Sequence, residues 1–328
     1  MHFARRLSAL SLTIASGMLW FLLAASEVAA QAFPSRPVTI IIPFTTGTPV
    51  DTALRAIGAE AAKPLGQSVV IENRPGANGR LGVNAIRAAR ADGHVLALVF
   101  DTLLVAQPIL DPGFRIESGK DYAPVILLVD FPLLLVTNAA SPFRDVNGLI
   151  GYAKANPNAL NIAGTAGASS YFMAERFRQL AGISMTVVPY KGSTQSILDV
   201  VAGRVQLLFA PSTAEPFIAS GKLASIATTG KRRWNAFASV PTLMEGGMNL
   251  ASSAWYGVIA NASTPPEAVA RLNAVFNTVL KQGEILKQLD GMGMNTTSMT
   301  SPGDFGAFIQ AEVKEWEPVL RNSGIKLE

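Results

Sequence analysis

The chain has 328 residues, 49% of them hydrophobic, which is enough to build the cores of two domains. Its formal net charge is only +4 and its basic residues are scattered, so the composition argues against a nucleic-acid partner. It contains no cysteine, which excludes disulfides, thiolate catalysis and cysteine-ligated metals.

The first thirty residues have the pattern of a secretory signal peptide. Arg5 and Arg6 precede an apolar stretch, residues 7–25, and alanines follow at positions that a signal peptidase recognises. An uncleaved membrane anchor is the alternative, because the stretch approaches a membrane-spanning length. The alanine-rich end and its closeness to a strand near Val38 favour cleavage. We therefore expect residues 1–30 to be removed from an exported protein.

The mature chain opens with a strand, a loop and a helix. Val38–Ile42 is a β-branched run typical of a buried strand, and Pro43 ends it because proline has no N–H group. Small and polar residues follow, and a helical pattern begins near Asp51. Free N–H groups and the positive end of the helix dipole then point at one place, where a carboxylate or phosphate would fit. An ordinary strand-to-helix turn is the alternative.

The same alternation continues along the first half of the chain. Residues 69–71 and 95–100 predict two further strands, each separated from the next by a helix, which indicates a parallel sheet. The loops that follow such strands gather at one edge, where ligands of these sheets bind. Residues 122–137 predict a strand that passes from one domain into another.

The pattern restarts in the second half of the chain. Residues 160–163 predict a strand, residues 164–170 form a second loop of small residues, and a helix follows, with Ser169 or Ser170 as its expected N-cap. Two such halves joined by two or three crossings predict a hinged protein that closes on a ligand. Backbone donors from both loops would then hold one anion in a water-poor cleft.

The sequence contains few of the residues and motifs that catalysis requires. His94 is the one histidine after the signal peptide, and it lies at a strand entry, away from the expected ligand edge. Nucleophile-elbow, phosphate-loop and zinc-helix motifs are absent, and the carboxylates are spread out. We therefore expect a binding protein with no metal and no cofactor, and not an enzyme.

Several motifs in sequence order resemble a known family. They are Phe33-Pro34-Ser35-Arg36-Pro37-Val38, Pro43-Phe44, Glu72-Asn73-Arg74-Pro75-Gly76-Ala77, Ala155-Asn156-Pro157, Val188-Pro189-Tyr190-Lys191-Gly192-Ser193, Val240-Pro241-Thr242-Leu243 and Ser253-Ala254-Trp255-Tyr256-Gly257. Together they resemble the Bug family, the periplasmic solute-binding proteins of tripartite tricarboxylate transporters. The resemblance covers essentially the whole mature chain.

The resemblance implies an α/β fold of the two-lobed periplasmic-binding-protein (Venus-flytrap) type, each lobe a doubly wound, mainly parallel sheet. The expected division is residues 31–131 with 253–328 in the first lobe and 132–252 in the second. The implied function is capture of a small carboxylate in the periplasm by a monomer that delivers it to a two-component membrane permease. A sensor subunit for a membrane partner and a cleft enzyme acting on organic acids are the alternatives.

The ligand site implied by the resemblance draws on both loops. The expected ligand-binding residues are Phe44, Thr45, Thr46, Gly47, Thr48, Asp51, Thr102, Thr165, Ala166, Gly167, Ala168, Ser169, Ser170, Tyr190, Ser193 and Ala210. Two departures from the family pattern stand out: residues 45–49 replace an Ala-Pro-Gly-Gly loop, and Ala210 stands where an aspartate is common. Without that aspartate, a ligand ammonium group lacks an acceptor. We therefore expect a dicarboxylate, hydroxy acid or aromatic acid without an amino group. The alternative is that Asp51 or Asp101 turns inward and supplies the missing acceptor.

Overall fold

A computed structural model describes residues 33–297 and 300–323, and the fold lies in one compact unit that begins at Arg36. The predicted signal peptide lies outside the described residues. Where the chain is described, its strands fall into two sheets, one of six strands and one of five.

The first sheet combines strands from the two ends of the chain. In spatial order it runs β11 (Asn295–Thr296), β4 (Tyr122–Phe131), β10 (Ala254–Asn261), β3 (Val95–Phe100), β1 (Val38–Ile42) and β2 (Val69–Asn73). The last three strands pair in parallel, whereas β10 runs antiparallel to both β3 and β4 because it returns from the second sheet. The loops after β1 and β3 therefore share one edge.

The second sheet is built from the middle of the chain. Its spatial order is β7 (Thr186–Tyr190), β6 (Asn161–Thr165), β8 (Leu207–Ala210), β5 (Leu134–Asn138) and β9 (Leu223–Thr228). Strands β6, β7 and β8 are parallel, and β5 is antiparallel to both of its neighbours. Most strands of each sheet thus run in one direction, and the prediction of a two-lobed α/β fold with mainly parallel sheets is confirmed.

The helices surround both sheets. They are α1 (Pro49–Leu65), α2 (Arg80–Ala88), α3 (Gln107–Leu110), α4 (Val146–Ala155), α5 (Ser169–Ala181), α6 (Ser193–Val201), α7 (Glu215–Ala219), α8 (Pro266–Val279), α9 (Gly283–Gly291) and α10 (Pro302–Arg321). A π-helical turn, Thr102–Ala106, leads into α3. The sequence pattern missed this turn, α3, α7, α9 and β11. All of these except α9 are short.

The chain crosses between the sheets at two described places. Strand β4 ends at Phe131, and β5 begins after Pro132 and Leu133, so the strand predicted over residues 122–137 is interrupted. The return crossing enters β10 at Ala254, which pairs with Phe131. The two crossings therefore lie side by side, as a hinge requires.

Helix α10 packs against both halves of the molecule. Its Phe305 fills the space above Gly257 of β10 and contacts the fully buried Trp255 ring at 5.6 Å between centroids. The C-terminal half of α10 contacts α5, which packs on the second sheet. Glu315 of α10 forms an ion pair with Arg176 of α5. The C-terminal helix thus links the first sheet to the second.

Candidate functional site

The loop after β1 is held from within by the carboxylate of Asp51. Asp51 is only 2% exposed, and its oxygens accept hydrogen bonds from the N–H of Gly47 (2.9 Å) and the amide of Asn73 (3.0 Å). Arg55 donates to the same carboxylate at 3.2 Å. The amide of Asn73 also donates to the carbonyl of Phe44 at 3.0 Å. Asp51 therefore fixes the loop and has its oxygens occupied by protein donors.

The pKa of Asp51 reflects this environment. Burial alone would raise it, but the hydrogen bonds from Arg55, the Gly47 N–H and Asn73 outweigh burial and lower the pKa from 3.8 to about 2. Asp51 is thus charged at neutral pH. The expected contact of Asp51 with the ligand stays a prediction, and the contacts described here give Asp51 a structural role.

The tip of this first loop is open to solvent. Thr45, Thr46 and Gly47 are exposed, and Thr48 donates its hydroxyl to the carbonyl of Thr45 at 3.1 Å. Gly47 has φ +85°, a left-handed conformation that glycine adopts without strain. Pro49 is the first residue of α1, and no side chain caps the helix at Thr48. Because Pro49 has no N–H group, the first N–H groups that α1 can offer to a ligand are those of Val50 and Asp51.

Aromatic rings form the floor next to this loop. Phe44 lies 5.2 Å from Phe100 and 5.8 Å from Tyr256, and Tyr256 lies 5.1 Å from Phe131, all between ring centroids. Trp255, the neighbour of Tyr256, is fully buried in the core instead. The alternation of side chains along β10 explains this division, since consecutive residues of a strand face opposite sides.

The second loop, residues 165–170, repeats the arrangement at the start of α5. The N–H of Thr165 donates to the hydroxyl of Ser170 at 3.0 Å, and the N–H of Ala168 donates to the carbonyl of Thr165 at 3.0 Å. Gly167 has φ +72°. The N-cap is Ala168, not Ser169 or Ser170 as the sequence suggested, because both serine side chains bond elsewhere.

Residues of the next strand adjoin this second loop. The N–H of Ala166 donates to the carbonyl of Tyr190 at 2.8 Å, and Ser193 begins α6 just beyond. The hydroxyl of Tyr190 donates to Asp199 at 2.9 Å, so it is engaged within the second lobe. Ala210 differs: it is fully buried in the apolar core and pairs with Leu134 within the sheet. Its expected contact with the ligand stays a prediction.

The acidic residue that follows β3, Asp101, joins the two halves of the site. The hydroxyl of Ser169 donates to Asp101 Oδ2 at 2.5 Å, and the N–H of Thr102 donates to Asp101 Oδ1 at 2.7 Å. Thr102 itself is buried in the π-helical turn. Asp101 was not among the expected ligand-binding residues and entered only as a carboxylate that could turn inward. Its place directly after a parallel strand is a position that often carries ligand contacts.

A second carboxyl group lies close to Asp101. Asp101 and Glu312 of α10 both line a cavity of about 20 Å³ between the two halves, room for about one water molecule. Burial raises the pKa of Asp101 to about 6. Burial, and then the negative charge of Asp101, raise the pKa of Glu312 to about 7. No sequence pattern pointed to Glu312, which lies more than two hundred residues from Asp101.

Within residues 33–297 and 300–323, no group of three or more His, Asp or Glu side chains could hold a metal ion. His94 is buried at the entry of β3, where its backbone N–H donates to the carboxylate of Asp92 at 3.1 Å. No helix in this part of the chain is long and apolar enough to cross a membrane.

Comparison with known proteins identifies the family. Residues 53–325 match the model of the tripartite tricarboxylate transporter family receptor. The chain is 31% identical to protein BugT of Bordetella pertussis over 333 residues, covering all of both chains. Among solved structures, MatC (Rpa3494) from Rhodopseudomonas palustris with bound malate is 31% identical with a TM-score of 0.72, covering 88% of this chain and 100% of MatC.

A second structure from the same organism, R. palustris Rpa4515 with adipate, is 30% identical with a TM-score of 0.75. It covers 90% of this chain and 99% of Rpa4515. The motifs that resembled the Bug family and the two-sheet fold agree with these matches. The chain belongs to the tripartite tricarboxylate transporter receptor family.

Proposed function

We propose that this protein is a periplasmic solute-binding protein that captures a small organic carboxylate between its two lobes. The observation that carries the proposal is the pair of small-residue loops, residues 44–48 and 165–170, each at the start of a helix and each in a different lobe. N–H groups at helix starts are suited to bind anions. Relatives captured with malate and adipate support a carboxylate as the anion.

The lobes in this proposal are residues 31–131 with 253–328 and residues 132–252. The division of strands between the two sheets supports these boundaries. In the closed form the first loop binds one end of the ligand, through its threonine hydroxyls and the N–H groups at the start of α1. The second loop, with Ser193, binds the other side of the ligand. Asp51 holds the first loop in shape, and Phe44 and Tyr256 form the floor.

Release remains possible in such a site because no strong ion pair must break. The anion is held by N–H and hydroxyl donors, which satisfy its charge once water is excluded. The protein then delivers the ligand, as an exported monomer without its first thirty residues, to a two-component membrane permease. Dicarboxylates, hydroxy acids and aromatic acids are the ligand classes to test. A sensor subunit would use the same closure and would differ only in its membrane partner.

A thermal-shift screen of the mature protein tests the proposal. Malate, adipate, succinate, citrate, benzoate, aspartate and glutamate are compared with chloride at matched ionic strength. At about 100 times its dissociation constant, a bound acid stabilises the protein by roughly 2.7 kcal/mol, which the screen detects. Failure of every acid to stabilise the protein would refute the proposal. Product formation from a bound acid would favour the enzyme alternative instead.

A further inference from the structure

The carboxylate of Asp101 contacts the first residue of helix α5. Ser169, the first residue of α5, donates its hydroxyl to Asp101 Oδ2 at 2.5 Å across the two lobes. The remaining hydrogen bond to this carboxylate comes from the N–H of Thr102 on the side of the first lobe. No lysine, arginine or histidine of the described residues forms an ion pair with Asp101.

Asp101 also lies close to the floor of the proposed site. Asp101 directly follows Phe100, which pairs with Tyr256 in the sheet, and Tyr256 packs against Phe44 of the first loop at 5.8 Å between ring centroids. Asp101 is therefore located between the first loop, through Tyr256, and the second loop, through Ser169. A ligand that spans the two loops has to pass beside this carboxylate.

We propose that Asp101 is a specificity-determining residue, which disfavours a second carboxylate at the end of the ligand next to α5 and favours a hydrogen-bond donor there. This inference rests on the proposed function. A half-buried carboxylate without a cationic partner repels a ligand carboxylate in the closed cleft, because little water then screens the two charges. The same carboxylate accepts a hydrogen bond from a hydroxyl or an ammonium group.

The ligand class follows from this chemistry. The first loop binds the single carboxylate, and the far end carries a hydroxyl or ammonium group that donates to Asp101. An ω-hydroxy acid fits this description better than the dicarboxylate of equal length. The sequence-based expectation of a ligand without an amino group depended on Asp51 and Asp101 not turning inward, and the contact of Asp101 with Ser169 removes the reason for that expectation.

The charged groups around Asp101 come from three elements. Glu312 of α10 shares its cavity, and Tyr256 of β10 lies within reach of its charge. The positive charge of Arg176 of α5 opposes the rise in the pKa of Glu312, and Arg176 is itself paired with Glu315. The pKa of Asp101 is raised to about 6, so its charge is present above that pH and lost below it. Repulsion of a second carboxylate therefore grows as the pH rises through about 6.

The test is a calorimetric comparison of ligands of equal length. Succinate, 4-hydroxybutyrate, 4-aminobutyrate and butyrate form one series, and adipate, 6-hydroxyhexanoate and hexanoate form a longer one. We expect the wild-type protein at pH 7.5 to bind the hydroxy acid more tightly than the dicarboxylate in the better-fitting series. In Asp101→Asn the ratio should move toward the dicarboxylate by about tenfold or more. Because both proteins meet each ligand in the same ionisation state, the change in ratio isolates Asp101.

Two further variants control the result. Glu312→Gln removes the neighbouring carboxyl group, which does not bond to Ser169, and should move the ratio toward the dicarboxylate by clearly less than Asp101→Asn does. Ser169→Ala frees Asp101 from its donor and should shift the ratio less than Asp101→Asn. Thermal unfolding verifies that each variant is folded, and the Ser169→Ala result carries the test if Asp101→Asn fails to fold.

The outcomes separate this inference from the proposed function. If no acid of either series binds the wild-type protein, the proposed function falls and the inference with it. If acids bind but Asp101→Asn leaves the ratio unchanged, the inference alone is overturned. A wild-type preference for the dicarboxylate that persists from pH 5.5 to 7.5 would overturn it as well.

Discussion

The two loops that begin α1 and α5 contain similar small residues but are held in place differently. The first loop is fixed by a buried carboxylate of its own lobe, Asp51, which accepts hydrogen bonds from Gly47, Arg55 and Asn73. The second loop is fixed by hydrogen bonds among its own residues and by the close approach of Gly164 to Tyr171. Its one link to a carboxylate, from Ser169 to Asp101, crosses to the other lobe.

This difference determines which loop contacts persist and which ones change when the lobes move. The contacts of Asp51 lie within one lobe, so they persist whether the lobes are open or closed. The contact between Ser169 and Asp101 joins residues of the two lobes, so the proposed movement of the lobes would change it. The first loop is thus a fixed half of the site, and the second loop is the half whose surroundings depend on closure.

The largest expected effect comes from removing the carboxylate that holds the first loop. Asp51→Ala leaves the donors of Gly47, Arg55 and Asn73 without their acceptor and should destabilise the protein by about 3 kcal/mol. Urea unfolding measures this loss. Thr52→Ala, a change at the neighbouring exposed residue, should stay within about 0.5 kcal/mol of wild type. Equal stability of the two variants would contradict the role given to Asp51.

The next effect concerns the packing of the second loop. A Cβ atom added at Gly164 would lie 2.6 Å from Cα of Tyr171, so Gly164→Ala forces α5 away from β6. We expect a loss of about 2 to 3 kcal/mol in urea unfolding. Gly151→Ala in α4, where an added Cβ meets nothing within 4 Å, is the matched control and should be neutral or slightly stabilising.

Asp51 and Asp101 should also make stability depend on pH in opposite ways. The pKa of Asp51 is lowered from 3.8 to about 2, so its contribution is complete above the unfolded pKa and is lost as the pH falls through 4 toward 2. That contribution is about 2 kcal/mol. The pKa of Asp101 is raised to about 6, so ionising it costs stability as the pH rises from 4 through 6. Unfolding free energies between pH 3 and 8, measured for wild type and Asp101→Asn, should diverge above pH 4, with the variant the more stable.

A smaller effect follows from the left-handed turn of the first loop. Gly47 has φ +85° with open space around it, so Gly47→Ala meets no clash and pays only for its backbone conformation, about 1 to 2 kcal/mol. Urea unfolding measures that cost. Gly47→Asn should recover part of it, because asparagine tolerates this conformation better than alanine does. If alanine and asparagine cost the same, the loop has rearranged.

The smallest effect is the loss of one hydrogen bond in the second loop. Ser170→Ala removes the acceptor of the Thr165 N–H and should cost about 1 kcal/mol. Ser170→Thr retains the hydroxyl and should cost less. Hydrogen exchange at the amide of Thr165 reports this bond directly, and unchanged protection in Ser170→Ala would contradict the assignment.

The local units of the fold could be predicted from the sequence, whereas the contacts between distant units could not. The β-branched run before Pro43 and the small residues after β6 identify strand, loop and helix in both halves, because their signals are local. The pairing of Asp101 with Ser169 joins residues 68 positions apart and depends on how the lobes meet. The end of β8 is a local signal of the same kind: the sequence predicts it at residues 210–212, and the strand ends at Ala210, because Pro211 has no N–H group.

The most direct test of the account is whether one ligand depends on both loops. Gly47→Val and Gly167→Val each crowd the backbone at the tip of one loop, and both glycines have positive φ. Calorimetry with the acid that binds the wild type most tightly should give each single variant an affinity at least about tenfold weaker. The losses in the double variant should not add, because both loops hold the same ligand. Wild-type affinity in both single variants, with the fold intact by thermal unfolding, would contradict the central claim that the two loops form one carboxylate site.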